Sequence, residues 1–81
     1  MSASGSFESS KPTGKIAIIC NGGERLIPSG LSVASFITSL GLNPDMMAVE
    51  LDGRVLDRAA YEKTLLAADA RLELIRFVGG G

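Results

Sequence analysis

Two short apolar runs on either side of Asn21-Gly22-Gly23 constrain this chain more than any other stretch. Asn and Gly reach the positive φ angles of a tight turn at little steric cost. The isoleucine-dense run from Lys15 to Cys20 is therefore expected to be a strand, with Arg25, Leu26 and Ile27 returning antiparallel to it. Pro28, Ser29 and Gly30 end the returning strand. A phosphate-binding loop is the poorer reading of the same glycines, because neither its lysine nor its helix follows.

After the hairpin the hydrophobic period changes. Val33, Phe36, Ile37 and Leu40 fall at i, i+3, i+4 and i+7, with Ser32 placed to cap the first turn and Gly41 to stop the last. Ser35, Thr38 and Ser39 occupy the opposite, wet side, so this helix covers one face of a sheet. Beyond Asn43-Pro44-Asp45, the stretch Met47 to Leu51 alternates in period two, Val49 and Leu51 on one side and Glu50 on the other. Asp52-Gly53 turns it toward a short return at Arg54-Val55-Leu56, and Asp57 is expected to cap a helical turn that follows. Asp69 precedes the final strand, Arg71 to Val78. The order predicts an α+β domain, a mixed sheet with one helix packed on one face.

Parity assigns the faces. Leu72 and Leu74 point to the core, as do Ile16, Ile18 and Cys20, while Glu73, Ile75 and Phe77 point to the open face with Ala17 and Ile19. If the first and last strands are neighbours, Ile19, Ile75 and Phe77 make an exposed apolar patch beside Arg76 and Val78, a candidate docking surface for a partner. Cys20 is then a small core residue rather than a nucleophile.

Composition removes most chemistries. The 81 residues allow one domain, expected over 15–78, between a flexible Ser- and Gly-rich tail at 1–14 and a flexible glycine tail at 79–81. With no histidine and a single cysteine, no His-based triad, Cys-His nucleophile or zinc site is expected, and no catalytic residue is assigned. A net charge of −1 with scattered Lys and Arg offers nothing for nucleic acid to follow. No apolar run approaches the length of a membrane span, Met1 to Gly14 lacks the apolar core of a secretory signal, and the lone cysteine fits a reducing compartment, so the expected location is cytoplasmic.

The ending Leu74-Ile75-Arg76-Phe77-Val78-Gly79-Gly80-Gly81 is the stretch with most functional content, a strand leading into a carboxylate on a stalk without side chains. Together with Cys20-Asn21-Gly22, Gly30-Leu31-Ser32-Val33 and Ala48-Val49-Glu50-Leu51-Asp52-Gly53, it resembles the thiamine-biosynthesis sulfur-carrier family, a ubiquitin-like β-grasp fold, over about residues 15 to 81. The resemblance implies a carrier, not an enzyme. An ATP-dependent, E1-like activating enzyme would adenylate the Gly81 carboxylate, and a sulfur donor protein would convert it to a thiocarboxylate. Thiazole synthase would receive the sulfur. Gly79 and Gly80 would thread the partners' channels, and the chain would bind no cofactor and no metal of its own, ATP being consumed by the activating enzyme. Molybdopterin synthase small subunits and ubiquitin-like modifiers share a terminal diglycine and remain alternatives.

Overall fold

The computed structural model describes residues 14–77, so most of the tail at 1–14 and all of Val78, Gly79, Gly80 and Gly81 lie outside the described residues. Among the described residues, five strands and one α-helix are laid out in the order β1 (Lys15–Cys20), β2 (Gly23–Pro28), α1 (Val33–Ser39), β3 (Met47–Leu51), β4 (Arg54–Val55) and β5 (Arg71–Arg76). The sheet runs β2-β1-β5-β3-β4. β1 pairs antiparallel with β2 and parallel with β5, and β5 pairs antiparallel with β3, which confirms the expected mixed sheet. The last strand of the chain is thus the centre of the sheet.

Both dipeptides read as turns are turns. Asn21 and Gly22 take φ values of 51° and 82°, and Asp52 and Gly53 of 52° and 85°, the paired positive angles of a hairpin connection twisted like its strands. The first turn closes directly on Cys20 opposite Gly23, so β2 begins earlier than the apolar residues alone indicated.

Helix α1 is terminated by its own sequence. At the start, the Ser32 hydroxyl accepts from the Ser35 backbone N–H at 3.0 Å. Val33 and Ala34 donate their otherwise orphaned N–H groups to the carbonyls of Thr64 and Tyr61, both at 2.9 Å, which ties the loop after β4 to the helix. At the end, Gly41 N–H reaches Thr38 O at 2.9 Å and Leu42 N–H reaches Ile37 O at 3.3 Å, the two bonds of a Schellman motif. Gly41 has φ +80°, and a Cβ built on it meets nothing within 4 Å. Its requirement is therefore conformational rather than steric. Gly41→Ala is expected to lower stability by about 1–2 kcal/mol, read as a shift of the urea midpoint at unchanged slope.

The core lies between α1 and one face of the sheet. Val33, Phe36 and Ile37 of the helix meet Ile18, Ile27, Met47, Val49, Leu72 and Leu74 of the strands, and Tyr61, Leu66 and Ala70 close the side. Tyr61 keeps its hydroxyl satisfied by donating to Met47 O at 2.9 Å. Two expectations need correction. Asp57 stands at the start of a 3-10 turn, Arg58–Ala60, but its side chain makes no capping bond. The ladder of the final strand ends at Arg76 rather than Val78, because β3 begins at Met47 and offers no strand residue beyond it. None of the helices among the described residues is long and apolar enough to cross a membrane.

Candidate functional site

The site is the end of β5, from which the chain leads to Gly79, Gly80 and Gly81. Leu72 and Leu74 anchor this strand in the core, and Glu73 and Ile75 alternate with them on the face that α1 does not cover. Ile75 is 52% exposed opposite Ala48, which leaves a β-branched side chain open to solvent in the middle of a sheet. Phe77 is 44% exposed and holds the chain past the last ladder residue by donating its N–H to Met46 O at 3.0 Å.

The apolar patch expected from parity is divided by the register. β1 meets β5 with Ile19 beside Arg71 and Cys20 beside Leu72, and then turns away. Ile19 is consequently four residues along the strand from Ile75, about 13 Å at ~3.3 Å per residue. Parity alone could not supply that offset. Phe77 also departs from the expected arrangement. Its ring has the Arg58 guanidinium 5.6 Å from its centroid and borders a cleft of about 220 Å³ shared with Gly41, Leu42, Met46 and Arg76. It thus stands toward the end of α1 instead of extending the Ile75 surface. The structure brings together Ile75, Arg76 and Phe77 as three differently directed side chains around the strand end and sets Ile19 apart; Val78 lies outside the described residues.

Two features were missed at the sequence level. Arg58 stacks on Phe77 from 19 positions away, a separation to which no local periodicity responds. Asn21, read as a turn former, also carries a side chain bonded to Leu74.

The remaining polar groups offer little intrinsic chemistry. Cys20 is half-buried, and burial raises its thiol pKa while nearby Arg25 partly offsets this, so the thiol stays protonated at neutral pH and is a poor nucleophile. Among the described residues, no group of three His, Cys, Asp or Glu side chains is arranged to hold a metal ion. The strand that leads toward the glycine end is paired on both sides at Arg71 and Leu72 and with β3 as far as Arg76.

The ThiS family model matches residues 15–81. The crystal structure of a thiamine biosynthesis protein from Geobacter metallireducens superposes with a TM-score of 0.70 at 28% identity, covering 82% of this chain and 100% of that one. A solution structure of a thiamine biosynthesis protein from the same organism gives 0.67 at 28% identity, covering 82% and 88%. Two curated relatives are named thiazole synthase. That of Magnetococcus marinus is 31% identical over 61 residues, 75% of this chain and 19% of its own, and that of Paramagnetospirillum magneticum 27% over 64 residues, 79% and 20%. The chain spans about a fifth of the length of these two relatives.

Proposed function

The chain belongs to the ThiS family, and from that membership we propose that it is a sulfur carrier of thiamine biosynthesis, working through the Gly81 carboxylate and catalysing nothing itself. The observation that carries this reading is a family match that runs through the glycine end to residue 81. Likeness to thiamine biosynthesis proteins and to thiazole synthases favours the thiazole branch over molybdopterin synthesis or protein tagging.

A carboxylate resists nucleophiles because its charge repels them and its oxygen leaves poorly. An E1-like activating enzyme attaches AMP from ATP to the Gly81 carboxylate and releases pyrophosphate. The terminal sulfur of a donor protein's persulfide then attacks the acyl carbon, forming the C–S bond as the C–O bond to AMP breaks. A thiol attacks the donor-side sulfur of the resulting acyl disulfide, so that the S–S bond breaks, the thiol becomes disulfide-linked to the donor and the acyl-bound sulfur is left as the thiocarboxylate. The resulting thiocarboxylate carries sulfur to thiazole synthase for the thiazole ring. Glycines suit the passage, since without Cβ atoms Gly79 and Gly80 fit where a partner's walls lie close to the main chain. Three extended residues reach about 10–11 Å at ~3.3–3.6 Å each, enough to enter a channel while the folded body stays outside.

Intact-protein mass spectrometry tests the proposal. After incubation with ATP, the adenylating enzyme and a sulfur source, one oxygen is replaced by sulfur, and fragmentation places the change on Gly81. A mass that stays unchanged with the enzyme active on another carrier overturns it.

Docking is assigned to Ile75, Arg76 and Phe77, the exposed side chains nearest the tail, with Val78 between Phe77 and the glycines. Ile75→Asp is expected to weaken binding to the activating enzyme by about 10-fold or more, in the range of a central interface residue. Because Ile75 is half-exposed, the thermal midpoint should change little. Calorimetric titration and a melt on the same sample check both halves.

A further inference from the structure

We propose that Asn21 is a positioning residue for the end of β5, its side-chain amide standing in for the second neighbouring strand that, among the described residues, β5 lacks there. β1 and β5 share only two paired positions, Ile19 with Arg71 and Cys20 with Leu72, before the chain leaves β1 through Asn21-Gly22. Among the described residues, β5 from Glu73 to Arg76 therefore has β3 on one side and no strand on the other. A strand end paired on one side frays more readily than one paired on both.

Asn21 fills the gap with three hydrogen bonds. Its backbone N–H donates to Leu72 O at 2.9 Å, the last bond of the parallel ladder. Its side-chain Oδ1 then accepts from Leu74 N–H at 2.8 Å, and Nδ2 donates to Leu74 O at 3.4 Å. The carboxamide thus carries the donor and acceptor that a peptide group of the next strand residue would have presented. The strand end is clamped from both sides as far as Leu74, three residues before Phe77.

The turn residue is also selected by this task. Asn tolerates the φ of 51° that the turn needs, as Asp52 does at 52° in the second turn. Asp52 likewise accepts a β5 backbone N–H, that of Arg71 at 3.0 Å. A carboxylate accepts only, however, while Leu74 presents both an N–H and a C=O to position 21, and an amide answers both.

The functional consequence rests on the reading of the chain as a carrier adenylated at Gly81. A partner that binds the end of β5 meets it already ordered when Asn21 holds Leu74. Without that hold, binding must also order the strand end, which weakens association while leaving the bound complex, and its chemical step, unchanged.

Asn21→Gly tests this, because glycine keeps the positive-φ turn and removes only the side chain. The expected result is amide exchange at Leu74 at least 10-fold faster with exchange at Ile18 and Phe36 unchanged, together with a KM for the carrier in adenylation about 5- to 10-fold higher at unaltered kcat. Asn21→Asp retains the Oδ1 acceptor but sets a carboxylate oxygen against the Leu74 carbonyl in place of the Nδ2 donor, so Leu74 exchange and the KM should both fall between those of the wild type and Asn21→Gly. Unchanged Leu74 exchange in Asn21→Gly overturns the clamp. Faster exchange with an unchanged KM, or a fall in kcat alone, overturns the positioning role. A wild-type chain that is not adenylated at all overturns the carrier reading and the role built on it, and amide exchange tells that failure apart from a failure of the clamp.

Discussion

Phe36→Ala is expected to cost about 3–5 kcal/mol, the range for removing a buried aromatic side chain and leaving part of its volume empty. Phe36 is 1% exposed and is the largest fully buried side chain among the described residues, on the helix face that closes the core over Ile18, Val49 and Leu72. A domain of this length holds only about 4–12 kcal/mol in all, at ~0.05–0.15 kcal/mol per residue. The single truncation therefore removes a quarter or more of the total and can leave no folded baseline at 37 °C. Urea unfolding followed by far-UV circular dichroism reads the effect. A loss below about 1 kcal/mol would mean that the helix is not the lid of this core.

Gly80→Ala addresses the tail instead of the body. The proposed function requires the tail to pass where a partner's walls lie against the main chain, so one added Cβ displaces the Gly81 carboxylate from the nucleotide. Misplacement by an ångström at a reacting centre can cost about 100-fold in rate. Adenylation, followed as pyrophosphate release, is expected to fall by about that factor. The urea midpoint should stay at the wild-type value, since position 80 lies beyond every residue of the core. Equal rates for the variant and the wild type would remove the steric argument for glycine and leave the tail's length as its only relevant property.

These two substitutions divide the chain into a body that must be rigid and an end that must be narrow, and Asn21 lies between them. Its side chain belongs to the first hairpin yet acts on the strand leading to the tail, 53 positions later. Stability measurements alone would class it as a turn residue. Only the split between KM and kcat separates holding the turn from holding the strand end.

Much of the architecture was legible because it is written in local rules. Asn21-Gly22 and Asp52-Gly53 specify hairpin turns by allowed φ angles, and Ser32 and Gly41 bound the helix by satisfying its orphan amides and carbonyls. The parity of Leu72 and Leu74 against Glu73 and Ile75 sets the covered and open faces of the last strand. These are interactions within a few residues, where the order of side chains is already the geometry. Register is different. The offset that places Ile19 beside Arg71 and away from Ile75 depends on how far β1 runs before turning and on which layer of core side chains interlocks beneath it. The stacking of Arg58 on Phe77 and the bonds from Asn21 to Leu74 likewise join distant segments. Such pairings come from packing of the whole sheet against α1, a collective property that no window of the sequence contains.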